Sequence, residues 1–182
     1  KTINSHHKVT IKGLKNISIN KSLRIGMNPE GFVPRDERTY LNIQGNMTIK
    51  GSWSVGRGCK IWVDPNGTLE IGNGGYVNSY TNFMVGHSVK IGDNCIISWN
   101  CQFLNEGKHQ IAYNGRQTKG RNILIGNNVW IGNNVKIYEG AVIPDNCVVA
   151  SDSVIKSTYY KKNVLIGGNP SKILKEEVTW TV

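Results

Sequence analysis

Residues 123–155 read ILIGNNVWIGNNVKIYEGAVIPDNCVVASDSVI, and this stretch decides the fold. Within it Ile125, Ile131, Ile137, Ile143, Val149 and Ile155 recur every six residues without a gap. Isoleucine and valine supply 37 of the 182 residues, so six such hits arise by chance about 7 times in 100,000. Four residues after each of the first five stands a small or β-branched residue: Val129, Val135, Ala141, Cys147 and Ser153. Between them lie polar pairs suited to turns, such as Asn127-Asn128, Asn133-Asn134 and Asp145-Asn146. A period of six is neither 3.6 nor 2, so neither an amphipathic helix nor a simple alternating hairpin accounts for it. Short strands joined by sharp turns do. If each hexad is one side of a triangular prism, about three hexads make a coil and the apolar residues stack inside.

The period extends upstream. Ile43, Ile49, Val55 and Ile61 form one block, and Ile71, Val77 and Phe83 another. After a shift of two residues come Val85, Ile91, Ile97 and Phe103. The frame breaks at Asp64-Pro65-Asn66-Gly67, a turn signal. The chain carries 22 asparagines and 21 glycines, the two residue types that best tolerate positive φ, as frequent sharp turns require. Residues 1–40 do not keep the hexad; alternation at Val9-Thr10-Ile11-Lys12 and Ile17-Ser18-Ile19-Asn20 predicts strands that cap the first coil. The repeat domain is expected over 41–175, with a tail at 176–182, and the stretch from Pro170 has room for one or two helical turns with Ile173-Leu174 packed inward. From Phe103 to Ile125 the spacing is 22, so 16 residues are inserted and 104–122 is expected to be an extruded loop. That loop is polar and basic and carries His109, and loops thrown out from a rigid repeat are where functional groups concentrate.

Composition bounds the rest. A chain of 182 residues holds one domain and is too short for two ordinary ones. No apolar run approaches the roughly 20 residues of a membrane span, and no N-terminal stretch reads as a signal peptide. The net charge of +10 suits an anionic partner, a glycan, nucleotide sugar or phosphorylated cofactor. Nucleic acid ranks last, because the basic residues do not cluster with aromatics in a recognisable module. Cys59, Cys95, Cys101 and Cys147 form no C-x-x-C pair and take small inward places, which reads as reduced core thiols of a cytoplasmic protein. Within the repeats only His87 and His109 are histidines, too few for a three-histidine catalytic metal site, so no metal is expected.

The motifs IGDNCI (91–96), IGNNVWIGNNVKI (125–137) and LIGGNPSKIL (165–174) resemble the hexapeptide-repeat acyltransferases. The branch most similar is that of the galactoside, maltose and capsular-polysaccharide O-acetyltransferases. The resemblance covers about 41–175 and implies an all-β fold, the left-handed parallel β-helix, an exception to the usual right-handed crossover. It implies a homotrimer with active sites between subunits, and acetyl-CoA as the donor. It makes His109 the general base, a role suited to the pKa of a neutral imidazole. It assigns Asn78 to the active site, with Asn82 as the alternative. It places Asn133 and Ser151 beside the cofactor arm, with Lys156 displaced by one position from the family's lysine; Trp130, an aromatic at an outward place, is expected to pack against a neighbouring subunit or that arm. Lys172 and Lys175 stand where the family meets the CoA phosphates with arginines. Residues 1–40 do not match the helical segment with which galactoside and maltose enzymes begin, which argues against those simple acceptors. The expected activity is O-acetylation of a surface polysaccharide or its precursor. N-acetylation of a nucleotide-linked amino sugar and a non-catalytic β-helical scaffold are the alternatives.

Overall fold

The computed structural model describes residues 1–27, 31–105, 112–113, 116–117 and 122–181. The chain winds through three sheets in turn. The first sheet has nine strands, from Thr2–Ser5 through Trp130–Ile131 to Leu165–Gly168 and Ser171–Lys175. The second has seven, from Val9–Lys12 to Val154–Ile155, and the third six, from Ile17–Ile19 to Val142–Ile143. Successive coils pair in parallel on three sides, and the architecture is a left-handed parallel β-helix of seven coils, counted by its second sheet. The corner between the first and second sheets is called here the first corner, the next the second, and the return to the first sheet the third.

The hexad residues take the places that their period predicts. Ile131 and Val149 pair in the first sheet, Ile137 and Ile155 in the second, and Ile125 and Ile143 in the third. One hexad is therefore one side of the prism. Each of these six side chains is at most 3% exposed. Upstream the same columns continue, and Phe83 stacks on Phe103 with ring centroids 4.4 Å apart and planes 9° from parallel. Their burial supplies the main stabilising term, because a three-residue side has little else to hold it.

Asparagine earns its abundance at the corners. Asn100 and Asn134 at the first corner have φ of 60° and 57°, and Asn128 and Asn146 at the third have 53° and 59°. Asparagine tolerates this left-handed conformation better than other non-glycine residues. Successive coils also bond through these side chains: Asn100 Nδ2 donates to Asn134 Oδ1 at 3.2 Å, and Asn128 Nδ2 to Asn146 Oδ1 at 3.0 Å. A second ladder runs beside it, where the Asp93, Asn127 and Asp145 Oδ1 atoms each accept the backbone N–H of the preceding coil at 2.8 Å.

The N-terminal segment continues this architecture. Thr2–Ser5, Val9–Lys12 and Ile17–Ile19 are the edge strands of the three sheets, so they wind as the end coil. In the second coil the first corner is enlarged between Ser22–Ile25 and Thr39–Ile43. At the other end the expected helical turns are replaced by a strand. Ser171–Lys175 folds back antiparallel on Leu165–Gly168, with Ile173 opposite Ile166. Pairing along the last parallel strand satisfies backbone groups that a short helix would leave open. Ile173 packs against the core, whereas Leu174 stays exposed.

Candidate active site

The loop at 104–122 leaves from the second corner. His109 lies outside the described residues, but both roots of the loop are fixed. Asn105 is 1% exposed; its Oδ1 accepts the Gly86 N–H at 3.1 Å, and its Nδ2 donates to the Ser88 carbonyl at 2.9 Å. Asn122 Oδ1 accepts the Ser88 N–H at 3.3 Å from the far side of the insertion. Both ends are thus stapled to the Gly86–Ser88 turn, where His87 is exposed. The sequence reading missed these two anchors among 22 asparagines; their signal was their position at the borders of the insertion.

Asn133 and Ser151 lie at the first corner in consecutive coils. The Ser151 hydroxyl donates to Asn133 Oδ1 at 2.7 Å, so the structure brings these two expected cofactor residues together. Trp130 lies just before them on the outer face of the first sheet, exposed, with its Nε1 3.3 Å from Ser98 Oγ. The C-terminal tail reaches back to it: the Trp180 ring sits 6.2 Å from Trp130, and Trp180 Nε1 donates to the Asn128 carbonyl at 3.0 Å. In register across the same sheet, Trp130 faces Val148, Val148 faces Leu165, and Leu165 faces Lys175. Lys172 stands opposite Gly167 on the final strand, and both lysines are exposed. Lys156 is not part of this group. It follows Val154–Ile155 at the second corner, a sheet's width from Ser151, or about 13 Å for a four-residue side.

Asn78 is also at the first corner, two coils before Asn133. Its backbone is committed, with the N–H donating to the Ile97 carbonyl at 2.8 Å and its own carbonyl accepting the Cys59 thiol at 3.1 Å. Its side chain forms no hydrogen bond among the described residues. Asn82, four residues on, holds a buried Oδ1 that has no partner among the described residues. In one chain, then, Asn78, Asn133 and Ser151 share the first corner, while the loop roots and Lys156 share the second.

All four thiols are buried, and three of them are held in the acid form. Burial pushes Cys95 and Cys101 up to about 11 and raises Cys147 as well, so each stays protonated near neutral pH. Among the described residues no three His, Cys, Asp or Glu side chains are grouped to hold a metal ion. No described helix is long and apolar enough to cross a membrane.

Comparison with known proteins places this geometry in a family. Residues 122–157 match the bacterial transferase hexapeptide (six repeats). A protein of the Klebsiella pneumoniae cps region, an uncharacterised 24.8 kDa chain, is 35% identical over 182 residues, covering 99% of this chain and 82% of its own length. Among solved structures, the polysialic acid O-acetyltransferase OatWY is 26% identical over 99% of this chain and 90% of its own, with a TM-score of 0.55. A hexapeptide-repeat acetyltransferase of Vibrio cholerae, complexed with acetyl coenzyme A, is 29% identical over 59% of this chain and 60% of its own, at 0.52. The polysialic-acid-specific acetyltransferase NeuO shares the fold at 15% identity, over 100% of this chain and 82% of its own, with a TM-score of 0.63. With its repeat, its coils and a relative matched almost end to end, the chain belongs to the hexapeptide-repeat family of bacterial transferases and is an acyltransferase.

Proposed function

We propose that the protein transfers an acetyl group from acetyl-CoA to a hydroxyl of an acidic bacterial surface polysaccharide or its precursor. The observation that carries this reading is the near-complete overlap with a polysialic acid O-acetyltransferase, and the relative in a capsule region points the same way. In this reading His109 takes the proton of the sugar hydroxyl as its oxygen attacks the thioester carbonyl carbon. The new C–O bond forms, the C–S bond breaks, and the CoA thiolate leaves with the proton returned by the imidazolium. Direct attack agrees with the thiols, which are buried and protonated. Backbone N–H groups at the first corner would stabilise the tetrahedral oxyanion.

The residues present fit the donor. The exposed Trp130 indole and the Asn133–Ser151 pair offer an apolar face and hydrogen-bonding groups for a pantetheine arm, and Lys172 and Lys175 offer charge to phosphates. In one chain Asn78 and the loop roots occupy different corners. We assign their meeting to a homotrimer, in which the loop of one protomer lies against the first corner of its neighbour. Acetyl-CoA is a cytoplasmic metabolite, and the reading places the reaction there. The test is free-thiol release from acetyl-CoA with acidic glycans and nucleotide sugars as acceptors. Acceptor-dependent release with an alkali-labile product is expected. An alkali-stable product would move the reading to N-acetylation, and no release with any acceptor would end it.

A further inference from the structure

At the N-terminal end of the first corner lies an open cleft of about 420 Å³, lined by His6, His7, Lys8, Arg35, Asp36 and Arg57. Five of these six carry or accept positive charge, and they come from three coils. Arg57 is central to it. Its side chain is buried, yet its Nε donates to the Gly26 carbonyl at 3.2 Å and its Nη1 to the Arg35 carbonyl at 3.2 Å. Among the described residues it forms no ion pair. This guanidinium is balanced, among the described residues, by carbonyl dipoles alone, which leaves the cleft a net positive charge. His6 senses that field: partial desolvation, then the charges of Arg57, His7 and Lys8, hold its imidazole below the usual pKa. Among the described residues Asp36 is the one carboxylate lining the cleft.

The cleft sits on the same ridge as the candidate transfer residues. Arg57 belongs to the third coil and Ser151 to the seventh, a run of about 19 Å at the spacing of neighbouring strands. Between them the enlarged corner at residues 31–38 carries Phe32 against Trp99, edge to face, with centroids 5.8 Å apart. Both rings are substantially exposed, at 57% and 39%. Exposed aromatic faces suit the apolar C–H faces of pyranose rings, and forked guanidinium groups suit carboxylates.

We propose that this cleft is a binding site for carboxylate-bearing polysaccharide, remote from the transfer site, which holds an acidic chain along the ridge by way of Phe32 and Trp99. The choice of a glycan rests on the acyl-transfer reading above; the anion site itself rests on the cleft alone. Its role would be to raise the local concentration of a polymeric acceptor, since a chain held at one point explores the second site at high effective concentration.

The test is direct binding, measured without acetyl-CoA, so that it does not depend on catalysis. Polygalacturonate, neutral dextran of similar length and single-stranded poly(dT) serve as probes. They are applied to the wild type, to Lys8→Glu/Arg35→Glu, and to Lys15→Glu/Lys21→Glu as a control with the same change in net charge. Arg35, Lys15 and Lys21 are exposed and Lys8 is half-buried, and unchanged melting temperatures check the fold. Polygalacturonate should bind and dextran should not, and the cleft variant should weaken binding at least tenfold while the control variant stays within about threefold. Equal weakening by both variants would reduce the effect to general charge and overturn the site. Tighter binding of poly(dT) than of polygalacturonate would overturn the glycan assignment. If acetyl transfer fails but the cleft variant alone loses polygalacturonate, the function reading falls and the cleft stands; if transfer proceeds while that binding is unaffected, the reverse holds.

Discussion

Asn105 shows how much a single buried amide contributes to positioning. It joins the loop root to the Gly86 N–H and the Ser88 carbonyl from a site closed to water. Replacing it with alanine leaves those groups unpaired, and Asn105→Ala should cost about 1–3 kcal/mol in urea unfolding and lower transfer activity through the displaced loop. Unchanged stability would show that the staple is dispensable. The cysteines give a pH expectation. Cys95 and Cys101 are raised by burial, so the folded state holds their protons more tightly than the unfolded chain. That stability is complete below the unfolded thiol pKa and is lost as pH rises through about 11, so the melting temperature should fall over pH 9–11. At neutral pH a thiol reagent should react slowly with the native protein and fully after denaturation; rapid labelling of the native state would contradict the assignment of these groups to the core.

At the scale of one coil, the limits are set by turns and close approach. An added Cβ on Gly75 would lie 2.2 Å from both the Cys95 carbonyl oxygen and the Trp53 ring. Gly75→Ala therefore forces apart two successive coils or displaces the buried Trp53, and a loss of roughly 2–4 kcal/mol with a red-shifted tryptophan emission is expected. Wild-type stability and emission would contradict this packing. The hexad columns were legible in the sequence because period six maps one residue to one side of the prism. The N-terminal coil was less so: Thr2–Ser5 and Val9–Lys12 lie at a sheet edge, where one flank is open and the apolar pattern relaxes. The final strand leaves room for helical turns in the sequence because Ile173-Leu174 looks alike in either state, and only the antiparallel pairing with Leu165–Gly168 decides it.

Over the whole molecule the coils stack into a prism whose first and second corners are chemically distinct. Its first corner carries a basic cleft, an aromatic pair, Asn78 and the Asn133–Ser151 pair; its second carries the loop roots. Of these the sequence points to Asn78, Asn133 and Ser151, but neither to the cleft, the aromatic pair and the loop roots nor to the separation of the corners, because which corner a residue occupies depends on counting hexads through every insertion. Nor does it signal the burial of Arg57, or of the Asn82 Oδ1 that has no partner among the described residues, since burial is a property of the folded chain. In the proposed homotrimer, the separation of Asn78 from the loop roots would make assembly part of the chemistry. The most direct measurement mixes two inactive proteins, His109→Ala and Asn78→Ala, unfolding and refolding them together before assaying thiol release from acetyl-CoA. A site shared between neighbours leaves some sites with both residues intact, so the 1:1 mixture should recover about a quarter of wild-type activity while each variant alone recovers none. A mixture as inactive as its components, or an Asn78→Ala protein with full activity, would contradict a site built from the loop of one subunit and the first corner of the next.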